Sequence, residues 1–246
     1  MLASREPLRQ YVVHDSSGNR GLCDVFIKLG GSILDHDAET VALVSRITDL
    51  VPHLRILILT GGGQAAKRIK ANQRATGTDF YRCWRAGVLC LEANAYLLAS
   101  YSTRFAVVSS STDMERCFSE GDIGVFAPLG PIVNSFHLIP DWEATTDSIG
   151  LHFASALGAR RYVIVSDVDG IYEQRPGGAP LAPPIPSLSV DELERLPSSK
   201  LDPSFPAYFR RQALPTIIVN GRYPDRVRAA IQGEPTIGTR INLFRE

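Results

Sequence analysis

At 246 residues the chain is long enough for one large domain or two small ones. An apolar fraction of 44% and a charged fraction of 21% exclude a mostly disordered or collagen-like polypeptide. Lysine plus arginine and aspartate plus glutamate cancel at 26 each, so no net charge marks a nucleic-acid or acidic-membrane partner.

Residues 1–22 are polar and aperiodic and are expected to form an N-terminal arm whose order depends on docking. The first strand follows at Asp24–Leu29 (DVFIKL), a short apolar run bounded by turn residues. It runs into Lys28-Leu29-Gly30-Gly31-Ser32. Two consecutive glycines let the backbone approach an anion closely, and N–H groups exposed there can cradle phosphate oxygens. Lys28 adds a point charge suited to phosphoryl oxygens, although a tight turn with a lysine reaching solvent would read the same way. Helical spacing over Ala38–Val51 puts Val41, Val44, Ile47 and Leu50 on one face.

A second strand, Arg55–Thr60 (RILILT), opens into Gly61-Gly62-Gly63 and a helix over Gln64–Thr76 with Lys67, Arg68 and Lys70 in its early turns. A helix N-terminus emerging from a glycine loop favours an anion. The run Gly61–Ala66 also fits G-x-G-x-x-A, but no strand ends in an acidic residue at the distance a dinucleotide site requires. The Gly-Lys-Ser/Thr of a Walker A loop is missing too. A phosphate site fits this loop better than a plain turn does.

The next helix, Asp79–Ser100, aligns Phe80, Trp84, Val88, Leu91, Ala95 and Leu98, and strands follow at Phe105–Ser109 and Gly124–Pro128. Thr145 or Thr146 is placed to cap a helix over Thr146–Leu157, and Asp147 in its first turn suits the helix dipole. A carboxylate beside a phosphate site could instead organise a lysine or an Mg²⁺ shell. The strand Tyr162–Asp167 leads into Asp169-Gly170, which reads first as a turn. Arg175–Ser187 (RPGGAPLAPPIPS) holds five prolines and two glycines, which excludes a regular helix or a central strand and predicts an exposed excursion. A strand at Thr216–Asn220 and a helix at Pro224–Ile231 complete the alternation. Continuous apolar strands alternating with amphipathic helices predict an α/β protein, one mainly parallel sheet covered on both faces. No apolar run approaches the ~18 residues of a membrane span and no signal core precedes the first strand, so a soluble, cytoplasmic protein is expected. Cys23, Cys83, Cys90 and Cys117 form no CxxC pair and no close cluster with histidine, which argues against a disulfide framework or a structural metal.

Four of these motifs have a meaning in their order. Lys-x-Gly-Gly-Ser after the first strand, Gly-Gly-Gly after the second, Thr-Thr-Asp-Ser at a helix start and then Asp-Val-Asp-Gly-Ile-Tyr resemble the amino-acid kinase superfamily. That superfamily includes acetylglutamate, aspartate and uridylate kinases. The resemblance runs from about Asp24 to Ile241 and includes Val219-Asn220-Gly221-Arg222 and Gly238-Thr239-Arg240-Ile241. It implies a three-layer α/β/α sandwich spanning residues 23–246, binding the acceptor up to about residue 140 and the nucleotide from about 141. It also implies ATP- and Mg²⁺-dependent phosphoryl transfer to a small-molecule acceptor, in a homo-oligomer. By motif position, Lys28 would stabilise charge on the transferring group, and Gly30, Gly31 and Ser32 would hold the ATP phosphates. Gly61, Gly62 and Gly63 would position the acceptor, with Lys67, Thr145 and Thr146 beside it. Asp147 would orient the basic groups, while Ser166, Asp169, Gly170 and Tyr172 would line the nucleotide pocket. Lys200, inside SSKLD, could match a second phosphate-facing lysine of some members, but its polar, loop-like setting reads better as a solvated surface lysine.

The acceptor is less directly written. The tail and the Thr-Thr-Asp-Ser segment look like archaeal-type uridylate kinases. Those generally carry an acidic residue for the ribose where this chain has Tyr81-Arg82, and a guanidinium cannot accept hydrogen bonds from hydroxyls. Trp84 and the run Leu138-Ile139-Pro140-Asp141-Trp142 look more like the aminomethylfuran phosphate kinases of methanofuran biosynthesis, although both tryptophans could serve the core. Molybdenum storage proteins resemble the same superfamily, so an ATP-binding oxyanion store is the alternative. The Thr-Thr-Asp-Ser segment favours the kinase.

Overall fold

The computed structural model describes residues 21–50, 53–134, 138, 140–173, 183–196 and 199–244. The expected arm up to residue 20, residues 175–182 of the proline-rich stretch and Ile139 lie outside the described residues. The chain runs β1 (Val25–Leu29), α1 (Gly31–Leu34), α2 (Asp37–Thr48), β2 (Ile56–Thr60), α3 (Gly63–Thr76), α4 (Phe80–Ala99), β3 (Phe105–Val108), α5 (Ser111–Ser119) and β4 (Ile123–Phe126). It continues through α6 (Leu129–Val133), α7 (Thr146–Ala156), β5 (Arg161–Ser166), β6 (Ser187–Ser189), α8 (Val190–Arg195), α9 (Phe205–Gln212), β7 (Thr216–Asn220), α10 (Pro224–Gln232) and β8 (Thr239–Asn242).

The strands form one eight-stranded sheet in the order β3-β4-β2-β1-β5-β7-β8-β6. All its pairings are parallel except β7 with β8. Helices cover both faces, so the molecule is a three-layer α/β/α sandwich, as the alternation of elements predicts. β1 shows how the layers are specified. Val25, Ile27 and Leu29 pack into one core with Leu43, Val44 and Ile47 of α2 and Val227 and Ile231 of α10. Phe26 points the opposite way, into a core with Ile149, Leu151 and Phe153 of α7. The period of two therefore sends Lys28 to the α7 side as well.

Three details differ from the sequence reading. The buried stripe of α2 is Thr40, Leu43, Val44 and Ile47, while Val41 is 54% exposed. Thr40 takes the inward place because its hydroxyl donates to the Ile33 carbonyl at 2.9 Å. In α4, Trp84, Val88, Leu91, Ala95 and Leu98 are buried as expected, but Phe80 is exposed at the helix start, edge-on to Trp142. Finally, Ser187 is no longer excursion but the first residue of β6, an edge strand paired with β8.

Phe26 is wholly buried, with Phe126 and Tyr162 at ring-centroid distances of 6.4 and 6.0 Å. Phe26→Ala is expected to lower unfolding stability by about 3–5 kcal/mol in urea titration. Val41→Ala, on the exposed side of α2, should change it by less than about 0.5 kcal/mol.

Candidate active site

β1 lies between β2 and β5, and the three strands end level, with Leu29 beside both Thr60 and Val165. The loops after β1, β2 and β5 therefore open on the same edge, the carboxyl edge where open α/β sheets bind ligands. They are stitched there by backbone bonds from Gly30 N–H to Val165 O (2.9 Å) and from Gly61 N–H to Leu29 O (2.8 Å). The two glycine loops also press on each other. A Cβ on Gly31 would overlap the backbone nitrogen of Gly63, and one on Gly61 would come within 2.8 Å of the Gly31 nitrogen. Gly63 opens α3 at φ +59°, a left-handed conformation that side chains disfavour. Asn94 of α4 donates to the Gly61 carbonyl at 2.6 Å and fixes this loop from behind.

Lys28 does not reach for solvent. Its Nζ lies 2.8 Å from Asp147 Oδ1, with the two side chains 14% and 7% exposed. This ion pair joins the end of β1 to the first turn of α7. The helix dipole alone therefore does not account for Asp147. Nor do Thr145 and Thr146 cap α7 in the expected way, because no side-chain cap bond forms at its N-cap residue, Thr145. The cap comes from Asp202, 57 residues further along. Its Oδ2 accepts from the Thr145 N–H (2.9 Å), the Thr145 hydroxyl (3.0 Å) and the Ser148 N–H (3.0 Å). Its Oδ1 accepts from the Ser148 hydroxyl. Burial pushes the Asp202 carboxyl up from its ordinary range, and the charge of Asp147 adds to this. From the sheet side, the Tyr162 hydroxyl donates to the Asp147 carbonyl at 3.0 Å. Burial holds that phenol well above its usual range.

A cavity of about 390 Å³ opens over this edge. Its lining brings together Lys28, Gly30, Gly31, Ser32, Gly61, Gly62, Gly63, Lys67, Thr145, Thr146 and Ser166 from among the residues singled out in the sequence. Asp169, Gly170 and Tyr172 lie outside that lining, as does Asp147, which is buried behind Lys28. Asp169 is instead bonded to Asn220 Nδ2 and Arg226 Nη1, both at 2.9 Å. Thr239 of β8 buttresses the same turn by accepting from the Ile171 N–H at 2.8 Å. This gives the Gly238–Ile241 motif a physical role.

Lys200 is solvated, as its setting suggested, but it also reaches the site. It lines the cavity, 3.7 Å from Asp167, while its side chain stays 55% exposed. Burial pushes the Asp167 carboxyl up, but the Lys200 ammonium and the Ser166 hydroxyl outweigh this and hold it below the usual carboxylate range. Arg82 lies outside the cavity, in a separate groove with Arg68 and Asn72.

The rest of the lining is largely aromatic and apolar, with Trp84, Val88, Leu91, Trp142 and Ile149. Trp142 lies across Gly87, where a Cβ would meet its ring at 3.3 Å. Its indole N–H donates to Gln73 Oε1 (3.1 Å), and its carbonyl accepts from Lys70 Nζ (2.6 Å). Lys70 was read among the cations of the early helix turns, whereas Asn94 and Asp202 escaped the sequence reading. Asn94 could have been noticed as an amide one turn after Leu91 on the apolar side of its helix. For Asp202 no local signal exists, since its partners are 54 and 57 positions away.

This cavity is equipped with the positive charge of Lys28, Lys67, Lys70 and Lys200 and with two glycine loops. That equipment suits phosphoryl transfer, and the protein is a kinase by class. It belongs to the amino acid kinase family, whose profile matches residues 25–220. The chain is 26% identical over 221 residues to the [5-(aminomethyl)furan-3-yl]methyl phosphate kinase of Methanocaldococcus jannaschii, covering 87% of this chain and 96% of that protein. It is 25% identical over 225 residues to the uridylate kinase of Methanosarcina mazei, covering 85% and 92%. Among solved structures, the uridylate kinase from Archaeoglobus fulgidus superposes with a TM-score of 0.70 at 22% identity, over 89% of this chain and 99% of that one. The UMP kinase from Bacillus anthracis gives 0.71 at 21% identity, over 90% and 96%.

The contact between the glycine loops is open to a direct test. Gly31→Ala should force them apart and cost about 1–3 kcal/mol of stability in urea unfolding, as overpacking does. Gly130→Ala, where a Cβ meets open space, should change stability by less than about 0.5 kcal/mol.

Proposed function

We propose that the protein transfers the γ-phosphoryl group of ATP to a small phosphate monoester with an aromatic body, and that an aminomethylfuran phosphate fits best. The observation that carries this reading is a single cavity lined both by Lys28, Lys67 and the glycine loops and by Trp84 and Trp142. Flat faces of this kind suit a planar ring. Asp141 also lines this cavity and offers a carboxylate to an ammonium group. The similarity to the Methanocaldococcus jannaschii enzyme supports the same choice. UMP is the competing acceptor, on the strength of the similarity to uridylate kinases.

In this reading an oxygen of the acceptor phosphate attacks the γ-phosphorus, the new P–O bond forms, and the bond to the leaving ADP oxygen breaks in line. Such a reaction asks for positioning and charge neutralisation. Lys28 stabilises the charge on the transferring group, and Asp147 holds its ammonium in place. The backbone N–H groups of Gly31, Gly62 and Gly63, with the Ser32 hydroxyl, cradle the phosphates, while the N–H groups of Gly30 and Gly61 are spent on holding the loops to the sheet, and Lys200 adds charge from the cavity lining. The nucleoside extends past Ser166 toward Asp169, Gly170 and Tyr172. Among the described residues no group of three or more His, Cys, Asp or Glu side chains could hold a metal ion. An Mg²⁺ ion would arrive on the nucleotide phosphates with its own waters, with Asp167 as the carboxylate beside Ser166 in the cavity lining, and would neutralise phosphate charge there.

An assay of ADP release against aminomethylfuran phosphate, UMP, acetylglutamate, aspartate and fosfomycin tests the acceptor. Turnover is expected with the furan phosphate above all others. Preference for UMP would select the uridylate kinase reading, and metal-stimulated oxyanion loading without acceptor phosphorylation would select storage. In the same assay Lys28→Ala should lower kcat by roughly 10²–10³-fold, as loss of one preorganised electrostatic donor does, with a much smaller change in ATP affinity. Lys28→Arg should not restore full activity, because a planar guanidinium does not fit the place of a compact ammonium beside Gly30 and Gly31. A kcat for Lys28→Ala within a few-fold of the parent would remove the lysine from the mechanism.

A further inference from the structure

We infer that Asp202 is a positioning residue of the transfer site, a remote clamp that sets where Asp147 holds Lys28. The inference rests on the proposed role of the Lys28–Asp147 pair and adds what keeps that pair in register. Asp202 belongs to the segment leading into α9, yet its carboxylate spans the first turn of α7. It grips Thr145 and Ser148, the residues on either side of Thr146 and Asp147, through three bonds to Oδ2 and one to Oδ1. Tyr162 grips the same turn from β5 through the Thr146 and Asp147 carbonyls, at 3.3 and 3.0 Å. The backbone that carries Asp147 is thus fixed from two sides by buried groups on different elements.

A helix cap alone does not explain this choice. A serine or threonine at the N-cap would satisfy an orphan N–H group with a neutral oxygen. Asp202 does so with a buried carboxylate next to another carboxylate, an arrangement that burial and like charge both disfavour. What the arrangement adds is attachment. The first turn of α7 is tied to the α9 side of the molecule, so the helix start cannot fray and carry Asp147 away from Lys28. A displacement of about 1 Å in such a group can cost on the order of 10²-fold in rate.

The test compares Asp202→Ala, Asp202→Asn, Ser148→Ala and Lys28→Ala in the full chain, with ATP and whichever of aminomethylfuran phosphate and UMP is turned over. Asp202→Ala is expected to lower kcat by about 10–10²-fold while the KM values for ATP and acceptor stay within about threefold. Asp202→Asn can keep all four bonds, its amide oxygen accepting three and its NH₂ donating to the Ser148 hydroxyl, so kcat should stay within about threefold of the parent. Ser148→Ala, which loses one bond of the clamp, should fall between them. A folded Asp202→Ala with parental kcat overturns the proposal and leaves a simple helix cap. An Asp202→Asn as impaired as Asp202→Ala also overturns it, since charge and not attachment would then be at work. If Asp202→Ala does not fold, a parental kcat for Ser148→Ala overturns it instead. Lys28→Ala separates the two levels, because full activity there refutes the underlying pair whatever Asp202 does. A crystal structure of Asp202→Ala, or of Ser148→Ala should the former not fold, supplies a readout that needs no acceptor. The Lys28–Asp147 separation should lengthen beyond hydrogen-bond reach, and an unchanged 2.8 Å contact would overturn the clamp.

Discussion

An ammonium group at the end of an almost wholly apolar strand is costly to bury unless an opposite charge meets it there. In this protein Asp147 meets Lys28 at 2.8 Å, and much of the architecture around the cavity can be understood as holding these two groups together. Lys28 is fixed by the register of β1 between β2 and β5, which leaves its side chain a single face on which to emerge. Asp147 is fixed by the first turn of α7, which Tyr162 and Asp202 hold from opposite sides. The contact thus ties the central sheet to one of the covering layers at the edge where the loops open. Removing either partner would strand the other as a buried charge. Stability and reactivity therefore meet at one place.

The glycine loops express a second constraint. Glycines beside a phosphate site suggest close approach of backbone to ligand, but Gly31 and Gly61 are also needed for close approach of one loop to the other. Two sets of N–H groups can converge on one small volume only if the loops carrying them touch, and side chains at these positions would hold them apart. Parallel pairing of β1 with β2 brings the loops level, and Asn94 keeps the second from retreating. The sheet topology, the absence of side chains and the charge of Lys28 act together, since none of them alone concentrates positive potential at that point.

What could be read from the chain itself followed how local the determinant is. β1, β2, β5 and β7 were legible because strands buried on both faces are continuous apolar runs, and the glycine loops were legible because they follow those strands directly. β6 and β8 were not. Ser187–Ser189 is three residues long, and Thr239–Asn242 is a partly exposed strand in which Ile241 is the one apolar residue. The polar helix α5 escaped for a similar reason, since only Met114 and Cys117 are buried along it. In α2 the apolar residues alone suggested a stripe through Val41, whereas the true stripe includes Thr40, whose hydroxyl finds a carbonyl partner that spacing cannot reveal. In the site, Lys28 and Asp147 were each visible, but their contact and the Asp202 cap depend on tertiary neighbours. Thr145, a suitable cap by residue type, yields that function to a carboxylate from a distant segment.

Two parts of the cavity lining are built on different physical terms. Around Lys28, buried charge and close backbone contact make most substitutions costly to the fold. Around Trp142, α3 buries none of its own residues and is joined to the segment opposite largely by polar contacts. Lys70 and Gln73 hold Trp142 by its carbonyl and its indole nitrogen, and Arg74 pairs with Glu143 at 2.6 Å. Exposed pairs such as the last contribute little to stability, typically 0–1 kcal/mol, and it is the bonds from Lys70 and Gln73 that hold the angle at which Trp142 crosses Gly87. On the proposed reading this angle defines the space for the acceptor ring. The placement of Trp142 is then governed by side chains whose replacement costs the fold little, while Trp84, Val88 and Leu91, like the Lys28–Asp147 pair, are locked into the core. Such a division lets the identity of the acceptor vary without disturbing the apparatus that moves the phosphoryl group. It is a physical reason why a chain with this apparatus can be similar both to kinases named for uridylate and to one named for a furan phosphate.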